Sequence, residues 1–477
     1  GCFFGMFPVA YLADKFGRRV TIQIGAVIYM LGGALQTGAR NMDMMLAGRF
    51  FAGFGVGFMS DLAPLYQAEI AHPSIRGRLT TLQQFMLGIG AFVASWITYG
   101  TSTGLKGSQA EWRVPLGIQI VPALPLIAFI LLLPESPRWL AEKGRWEEAR
   151  QSLARLHANG DIDDTFVLAQ IKDMKADINK ARDIGESGWK ELLTVPANFR
   201  RLALGYILQF SVQMTGVSAI QYYSTVVCCI FTTMGFTPNR ILLFQSINSV
   251  IALIGEACCV LWVDHTGRRM PLIVGNVASG LSFVVGSILM ARWPRSVQNN
   301  AVCPLYLHQS VPLFHLMSFN PHVVMTVTTW VFNFFFSACI GPLSWAYPAE
   351  IFSTRTRAKS TAITSSSSWI SNFFIAQVTP IAFKHIGWKY YLVFAICGHS
   401  NALFIWAFFP ETTGRRLEEM DALFENAPIF VPGTAYARVG DRHAGERELL
   451  GGDFAPGDLS VKDSHDPEKA SINHQEL

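Results

Sequence analysis

Apolar runs of bilayer-spanning length recur along the chain and are separated by short polar segments. A helix needs about 17–25 mostly apolar residues to cross a bilayer. Ten full spans are predicted, at about 20–39, 43–65, 79–100, 114–133, 201–223, 241–263, 270–291, 322–347, 361–383 and 389–409. A shorter apolar run covers residues 1–13. The pattern predicts an all-α membrane protein, embedded in the lipid bilayer, with about 11 transmembrane helices present.

Composition narrows the class of protein further. Apolar residues make up 51% of the 477 residues and charged residues only 15%, whereas a soluble chain of this length needs more charge to cover its surface. The net charge of +4 is small, and the basic residues lie in short loops rather than along one face, which excludes a nucleic-acid-binding protein. Most of the eight cysteines lie in apolar runs, so they predict no disulfide framework.

Basic residues determine the predicted orientation of the helices, because loops rich in Lys and Arg stay in the cytoplasm. Alternate loops carry most of these residues, and those loops are predicted to be cytoplasmic. They hold Lys15, Arg18, Arg19, Arg76, Arg78, Arg268, Arg269, Arg355, Arg357 and Lys359. In this orientation the run at 1–13 enters the membrane from the outside. One further helix and a cytoplasmic N-terminus are therefore expected before it.

The cytoplasmic motifs occur twice, in the same order. The paired motifs are Asp14-Lys-Phe-Gly-Arg-Arg and Asp264-His-Thr-Gly-Arg-Arg, Glu69-x6-Arg76 and Glu350-x6-Arg357, and Pro134-Glu135-Ser136 and Pro410-Glu411-Thr412. Their offsets are 250, 281 and 276 residues, which predicts two parallel, pseudo-repeated halves. A complete span at 201–223 precedes the helix that ends in Asp264, but no such span precedes the helix that ends in Asp14. Helix 1 of twelve is therefore expected to be missing.

Four regions follow from these patterns. They are an N-terminal transmembrane half at 1–140, a cytoplasmic helical linker at 141–199, a C-terminal transmembrane half at 200–424 and a disordered cytoplasmic tail at 425–477. The linker mixes charges of both signs with apolar residues at helical spacing, which is typical of short amphipathic helices. The tail is rich in Gly, Pro, Asp and His and lacks apolar periodicity, which indicates disorder.

The doubled charges predict a gate at the cytoplasmic ends of the helices. Carboxylate and guanidinium groups at these ends can pair with each other. Such pairs would hold the two halves together while the site faces outward and would break when it faces inward. The alternative is that the basic residues only orient the helices. The doubled, position-matched pattern favours a gate built from Asp14, Arg18, Arg19, Asp264, Arg268, Arg269 and the two Glu-x6-Arg pairs.

Charged residues inside the predicted spans are expected to have a structural or functional role, because inserting each into the membrane costs about 2.5–3.5 kcal/mol on insertion scales. Arg49 lies about six residues into its span, where it either pairs with a carboxylate or extends to the outer surface. Glu256 lies eight residues before Asp264, about 12 Å along a helix. It is either a proton carrier or a buried group bonded to a neighbouring helix.

Polar and aromatic residues inside the spans predict a site for a hydroxyl-rich solute. Amides offer both hydrogen-bond donors and acceptors, and a Trp face can stack on the C–H side of a sugar ring. The candidates are Gln84, Gln209, Gln213, Ser218, Gln221, Tyr222, Tyr223, Trp345, Trp369 and Asn372. Their alternative role is contact between helices, where polar side chains are common.

In their order the motifs resemble those of the sugar porter family of the major facilitator superfamily. The matching segments lie between residue 1 and about 424 and include the paired motifs above, Gly48-Arg49-Phe50, Pro64-Leu-Tyr-Gln-Ala-Glu-Ile, Arg76-Gly77-Arg78, Pro134-Glu-Ser-Pro-Arg-Trp-Leu, Gly216-Val-Ser-Ala-Ile-Gln-Tyr-Tyr-Ser and Gly341-Pro-Leu-Ser-Trp-Ala-Tyr-Pro-Ala-Glu. The segment at 216–224 is most similar to fungal hexose and disaccharide permeases. The resemblance implies a major facilitator fold of two six-helix halves, here with helix 1 missing.

The resemblance also implies roles for individual residues. It places Gln84, Gln213, Trp345 and Asn372 in contact with the sugar. It implies a cytoplasmic charge network of Glu69, Arg76, Glu135, Arg138, Glu350, Arg357 and Glu411. In proton-coupled members, the residue equivalent to Arg49 pairs with an Asp of helix 1, the helix expected to be missing here.

Three departures from the family pattern bear on substrate choice. The family's paired Gln-Gln is Val212-Gln213 here, its following Asn is Ser218, and its Asn in the next helix corresponds to Ala252. A hydrogen bond typically contributes about 0.5–1.5 kcal/mol. The departures therefore argue against ordinary glucose specificity.

The sequence favours transport of a mono- or disaccharide by alternating access. This transport is expected to occur in symport with protons and in the plasma membrane. A polyol or quinate porter and a non-transporting sugar sensor are the alternatives, and a tail of only about 55 residues favours transport over sensing. An inactive fragment is a further alternative if the chain begins at Gly1. The sequence contains no nucleophile–base pair, metal-ligand spacing or phosphate loop, so it predicts no enzyme, metal site or cofactor.

Overall fold

The computed structural model describes residues 1–72, 76–183, 191–226, 238–292, 321–352, 356–413 and 419–437. Within these ranges every regular element is a helix. The predicted all-α fold class is therefore confirmed.

The N-terminal half consists of helices that run back and forth between the two ends of the half. They are α1 (Cys2–Phe16), α2 (Arg18–Thr37), α3 (Met42–Ile70), α4 (Arg76–Gly104), α5 (Ala110–Ile118) and α6 (Ala123–Phe129), which a 3-10 turn at Ile130–Leu132 extends. Asn41 caps α3, because its side chain accepts the backbone N–H of Met44 at 2.9 Å. The predicted run at 1–13 thus lies within a 15-residue helix.

The C-terminal half repeats this arrangement with two interrupted helices. Its described elements are α11 (Pro196–Met214), α12 (Val217–Val226), α13 (Pro238–Thr266), α14 (Arg269–Arg292), α15 (Pro321–Phe335), a π turn (Phe336–Ile340), α16 (Gly341–Ile351), α17 (Arg357–Ile386) and α18 (Lys389–Phe408). Between the halves lie α7 (Pro137–Glu142), α8 (Trp146–His157), α9 (Thr165–Asp183) and α10 (Glu191–Thr194). The last described helix is α19 (Glu419–Asn426).

Eight helical segments of the described residues are long and apolar enough to cross a membrane. They are Arg18–Thr37, Arg78–Gly104, Ala110–Leu132, Pro196–Gln221, Leu242–Thr266, Arg269–Leu289, Val327–Ile351 and Lys389–Phe408. The other two predicted spans, 43–65 and 361–383, fall on α3 and α17, which are 29 and 30 residues long. Both helices are less apolar than predicted, because α3 contains Arg49 and Asp61 and α17 contains four consecutive serines at 365–368.

Large apolar side chains cover the outer faces of these helices. Leu31, Leu261 and Ile396 are 53%, 73% and 69% exposed. Extended apolar surface of this kind is rare on soluble proteins. Since it lies on span-length helices, it is the surface that faces lipid.

Several helix pairs join the halves, chief among them α4 with α13 and α1 with α17. Across the first pair, Ser95 Oγ lies 2.8 Å from Ser249 Oγ. Hydroxyl groups that bond across a helix contact hold transmembrane helices together where the hydrophobic effect contributes little. The packing brings the charged ends of these helices side by side.

The described part of the linker is helical and packs against the N-terminal half. Its buried apolar cluster contains Trp139, Leu140, Ala141, Ala149, Leu153, Ala154, Val167, Ile171 and Ile178. Ser152 Oγ donates to the Glu135 carbonyl at 2.8 Å, and His157 Nε2 lies 3.0 Å from the Ile70 carbonyl. These two contacts fix α8 to the ends of the membrane helices that the basic residues predict to be cytoplasmic, hereafter the cytoplasmic ends.

The beginning of the predicted disordered tail is folded. Ala427 is buried in a cluster with α11, α14 and α16, beside Met420, Leu423 and Phe424 just before the predicted tail. The Val431 N–H donates to the Ala407 carbonyl at 2.9 Å. The prediction of disorder is therefore wrong for 425–437. The apolar residues of this segment are too few to show periodicity in the sequence, but they pack against the membrane half. Residues 438–477 lie outside the described ranges.

Candidate functional site

A buried arginine organises the cytoplasmic end of the N-terminal half. Arg18 follows Gly17, whose positive φ of 89° is a conformation that glycine adopts without strain. The Arg18 guanidinium donates from Nε to Glu69 Oε2 at 3.0 Å and from Nη2 to Glu69 Oε1 at 2.9 Å, the bidentate geometry that makes such pairs strong. Glu135 Oε1 accepts the backbone N–H of Arg18 at 3.1 Å. The cluster ties together the ends of α1, α2, α3 and α7.

The C-terminal half contains the equivalent cluster. Arg268 donates from Nε and Nη2 to Glu350 Oε1, at 3.2 and 2.9 Å. Glu411 accepts the backbone N–H groups of Arg268 and Arg269 at 2.9 and 3.0 Å. The second oxygen of Glu350 accepts from Thr412 Oγ1 at 2.7 Å. Both carboxylates are thus hydrogen-bonded, as buried charges require.

Two further contacts extend the repeat. The Tyr66 hydroxyl donates to the Pro134 carbonyl, and the Tyr347 hydroxyl donates to the Pro410 carbonyl at 3.1 Å. In the same way, Arg19 donates to the Leu131 carbonyl and Arg269 to the Trp406 carbonyl. The repeat seen in the sequence is therefore a repeat of individual hydrogen bonds.

These clusters lie within the halves and not between them. Arg18 and Glu69 belong to one half, and Arg268 and Glu350 to the other. The expectation that these pairs hold the halves together needs correction, because each carboxylate lies at the end of a helix that neighbours its arginine within the same half. Their direct effect is to make each half rigid.

An ion pair between the halves forms from other members of the motifs. Arg78 Nε, at the start of α4, lies 3.1 Å from Asp264 Oδ2, near the end of α13. Asp264 also lies 3.6 Å from Arg268 Nη1, and Asp14 lies 3.9 Å from Arg18 Nη1. Asp264 therefore connects the C-terminal cluster to the N-terminal half.

Charges of one half also act electrostatically on the other. Glu69 lies at the cytoplasmic end of α3, beyond the predicted span 43–65. Burial alone would raise the pKa of its carboxyl, but Arg18 outweighs burial and holds that pKa below its ordinary value of 4.5, with a smaller contribution from Arg357 of the other half. Lys359 of the C-terminal half similarly attracts Asp14. The cytoplasmic ends of the two halves are thus close together.

The other predicted charges have separate surroundings. Arg357 is buried and donates to the Phe352 carbonyl at 3.0 Å, and Arg138 is buried in α7. Arg49 is exposed on α3, and it forms no ion pair with a residue that the structure describes. The side chain of Arg76 lies outside the described residues.

Four polar side chains of α11, α12 and α17 form a hydrogen-bonded cluster, hereafter the polar cluster. Gln213 Oε1 accepts from Ser218 Oγ at 2.5 Å and from Asn372 Nδ2 at 3.4 Å. Gln213 Nε2 donates to Ser368 Oγ at 3.2 Å, and Asn372 Nδ2 lies 3.2 Å from Ser218 Oγ. The structure thus brings together three of the predicted sugar-binding residues.

A broken helix positions this cluster. Gly216 separates α11 from α12 with a positive φ of 88°, and a Cβ there would lie 2.7 Å from the Phe283 ring. The break lets Ser218 reach back to Gln213, five residues earlier. Interrupted helices near the membrane midplane are typical of binding sites in transporters.

A second interruption brings two more predicted residues close. The π turn at Phe336–Ile340 ends at Gly341, and π turns are frequent at functional sites. A Cβ on Gly341 would lie 3.7 Å from Gln84 Nε2, so Gln84 of the N-terminal half faces the start of α16. Trp345 lies one helical turn further along α16. Both Gln84 and Trp345 are half-buried.

Trp369 supplies an unused hydrogen-bond donor beside the polar cluster. It precedes Asn372 by three residues and so lies on the same side of α17. Its indole Nε1 is buried and donates to none of the described residues. Buried donors are normally paired, so this N–H is available to a ligand. The side chain of Tyr222 lies outside the described residues.

Three residues of these sites are missing from the sequence-based predictions. Arg78 belongs to the Arg76-Gly77-Arg78 motif, but the sequence gives no sign that Asp264 is its partner. Ser368 lies in a serine run whose inward face is set by packing. Asp61 is a carboxylate inside the predicted span 43–65. Because a charge inside a membrane is costly, its position in the sequence is a signal that could have identified it.

Two repeated halves, interrupted helices and paired charge clusters define a multi-pass transporter of the major facilitator fold. A solved structure supports this class: the proton:xylose symporter XylE of E. coli, bound to 6-bromo-6-deoxy-D-glucose, superposes with a TM-score of 0.74. The two proteins are 25% identical, over 89% of this chain and 87% of that one.

The sequence profile of the sugar (and other) transporter family matches residues 1–424. The chain belongs to the sugar porter family of the major facilitator superfamily. It is 32% identical to the MFS glucose transporter mfs1 of Aspergillus flavus, over 99% of this chain and 88% of the relative. It is 30% identical to a probable quinate permease of the same species, over 90% of this chain and 78% of the relative.

Proposed function

We propose that the protein carries a neutral, hydroxyl-rich sugar across the plasma membrane by alternating access, in symport with protons. The observation that carries the proposal is the polar cluster of Gln213, Ser218, Asn372 and Ser368 at a broken helix. Its members are neutral and offer both donors and acceptors, which is what the hydroxyl groups of a sugar need.

Sugar binding would exchange the internal hydrogen bonds of the polar cluster for bonds to the ligand. The bond from Asn372 to Gln213 is long, at 3.4 Å, and therefore easily replaced. The free N–H of Trp369 adds a donor on the same side of α17. Trp345 offers an aromatic face, and Gln84 adds an amide from the N-terminal half. Because few polar groups lose a partner in this exchange, binding costs little free energy.

Release into the cytoplasm requires α4 and α13 to separate. The Arg78–Asp264 ion pair holds the cytoplasmic ends of these helices together, whereas the Ser95–Ser249 hydrogen bond joins them about 25 Å further along α4. The clusters of Arg18 and Arg268 keep each half rigid, so each half would move as one body. Motion of one half against the other around a fixed site is alternating access.

Proton symport has separate support. The similar protein XylE is a proton:xylose symporter, and Arg49 occupies the position whose equivalent pairs with a carboxylate in proton-coupled family members. Carboxylates buried in membrane helices are costly and are common in proton pathways. Asp61 is 2% exposed, so it belongs to this group.

Uptake of radiolabelled sugars by transporter-deficient yeast cells tests the proposal. The panel contains glucose, xylose, fructose, maltose and myo-inositol, with and without a protonophore. Asn372→Ala should reduce uptake of the transported sugar, while the matched control Gln377→Ala, at an exposed position of the same helix, should not. Wild-type uptake by the Asn372→Ala variant at equal surface expression would contradict the site.

A quinate porter is the second candidate, because the probable quinate permease is 30% identical. Quinate carries a carboxylate, and a site for it needs a cation or several donors. The polar cluster contains no cation, which favours a neutral sugar. Labelled quinate in the same cells separates the two candidates, and sugar counterflow in vesicles separates both from a sensor that does not transport.

A further inference from the structure

A buried carboxylate lies on the interface between the halves, away from the cytoplasmic clusters. Asp61 of α3 is 2% exposed and accepts a hydrogen bond from Ser365 Oγ of α17 at 3.2 Å. Asp61 precedes Glu69 by eight residues, and Ser365 follows Arg357 by eight. Eight residues of helix are about 12 Å, so the pair lies about two helical turns inside the membrane from the charged layer.

Asp61 has no counter-charge among the residues that the structure describes. Its helix packs against α1, α2, α4, α7, α16 and α17. The charged groups at the cytoplasmic ends of these elements include Asp14, Lys15, Arg18, Arg19, Arg78, Arg138, Glu142, Glu350, Arg357 and Lys359. None of them bonds to Asp61, and Ser365 provides the polar contact that acts on it. An ionised carboxylate in such surroundings is strongly disfavoured.

Opening of the cytoplasmic side would change these surroundings. Asp61 and Ser365 belong to opposite halves, so their hydrogen bond breaks when the halves separate there. Water would then reach the carboxylate and favour its ionised form. Protonation would therefore be coupled to closure and deprotonation to opening.

Glu256 is a second buried carboxylate of the interface, but its surroundings differ. Its Oε2 is buried without a hydrogen-bond partner among the described residues and occupies the space above Gly88 of α4. Ser365 can donate to Asp61 when the carboxyl is ionised and accept from it when it is protonated. Glu256 Oε2 has no hydroxyl partner of this kind among the described residues. The neutral form of Glu256 is therefore favoured more uniformly across the closed and open states.

We infer that Asp61 is a proton-binding residue of the transport cycle, which takes up a proton when the cytoplasmic side closes and releases it into the cytoplasm when that side opens. The inference rests on the proposed function, since it assigns the coupled proton to a residue. The proton moves onto a carboxylate oxygen of Asp61 and leaves to water, so no other reactant is needed.

The test measures conformation directly and needs no substrate. Spin labels are attached to Lys15→Cys and His265→Cys, two exposed positions at the cytoplasmic ends of opposite halves, in the full chain with its eight native cysteines replaced. Pulsed electron paramagnetic resonance in lipid nanodiscs then gives the distance distribution at pH 5 and pH 8. We expect the reference protein to shift to longer distances at pH 8 and Asp61→Asn to keep the shorter distance at both values.

Two further variants sharpen the result. Ser365→Ala removes the donor to the ionised carboxylate and should move the midpoint of the pH-dependent shift upward. Glu256→Gln, the matched control, should keep the shift. The inference is overturned if Asp61→Asn shifts like the reference protein, or if the reference protein does not shift at all. Counterflow of the panel sugars with the unlabelled protein tests the proposed function separately, so the two failures are distinguishable.

Discussion

Arg78 Nε of the N-terminal half lies 3.1 Å from Asp264 Oδ2 of the C-terminal half. Arg78 is 48% exposed and Asp264 14%, so the pair is partly solvated and weaker than the buried pairs within the halves. A contact that forms and breaks in every transport cycle needs this property, because a very strong bond would trap one state.

Neutralising this pair should therefore shift the conformational equilibrium without unfolding the protein. A partly exposed ion pair is worth about 0.2–1 kcal/mol, so Arg78→Ala should increase the fraction of protein open to the cytoplasm by up to about fivefold. Reaction of a cysteine placed at the buried Thr81 with a membrane-impermeant maleimide from the cytoplasmic side measures that fraction. The exchanged pair Arg78→Asp with Asp264→Arg should restore it, and equal labelling of Arg78→Ala and the parent would refute the gating role.

The glycine before Arg268 should be intolerant of substitution for two reasons. Gly267 has a φ of 81°, and a Cβ there would lie 2.5 Å from Glu411 Oε2. We expect Gly267→Ala to lower the melting temperature in detergent markedly. Gly144 also has a positive φ, of 76°, but open space around its Cβ position, so Gly144→Ala carries only the backbone cost of about 1–2 kcal/mol. Equal losses for the two variants would show that the contact with Glu411 is unimportant.

The free N–H of Trp369 should contribute to substrate affinity and not to stability. A hydrogen bond to a ligand is worth about 0.5–1.5 kcal/mol, so Trp369→Phe should raise KM for the transported sugar by about two- to twelvefold. The maximal rate and the melting temperature should change little, because the ring is kept. Trp112→Phe, at a residue that is 37% exposed, is the control. An unchanged KM for Trp369→Phe would remove Trp369 from the site.

The Arg18–Glu69 pair predicts how stability depends on pH. Because the pKa of Glu69 is lowered in the folded protein, the pair stabilises the fold above the ordinary carboxyl range, and this contribution is lost as pH falls through the lowered pKa. Glu69→Gln leaves Arg18 buried without its counter-charge, which typically costs about 3–5 kcal/mol.

The melting temperatures of Glu69→Gln and the parent should therefore differ strongly at pH 7 and converge below pH 4. Thermal unfolding in detergent across this pH range measures the difference. A gap that stays constant from pH 7 to pH 3.5 would contradict the assignment of the lowered pKa to this pair. Glu148→Gln, at an exposed pair with Arg145, should show almost no gap at either pH.

The sequence by itself determined the class of the fold and the repeat. Membrane helices must satisfy their backbone hydrogen bonds internally and be apolar over a fixed length, so eight spans could be located from composition alone. The duplicated charges were also visible, because motifs at matched spacing are local features. Gln213, Ser218 and Asn372 were candidates for the same reason: polar residues in apolar helices stand out.

Only the tertiary structure decided which of these residues meet. Helical periodicity does not say which face of one helix meets another, so the pairing of Arg18 with Glu69 inside one half, and of Arg78 with Asp264 between halves, required the packed arrangement. The same holds for Asp61 and Ser365, which are 304 residues apart and come together because α3 packs against α17. The folded start of the tail depends on an apolar groove that forms only when α11, α14 and α16 are assembled.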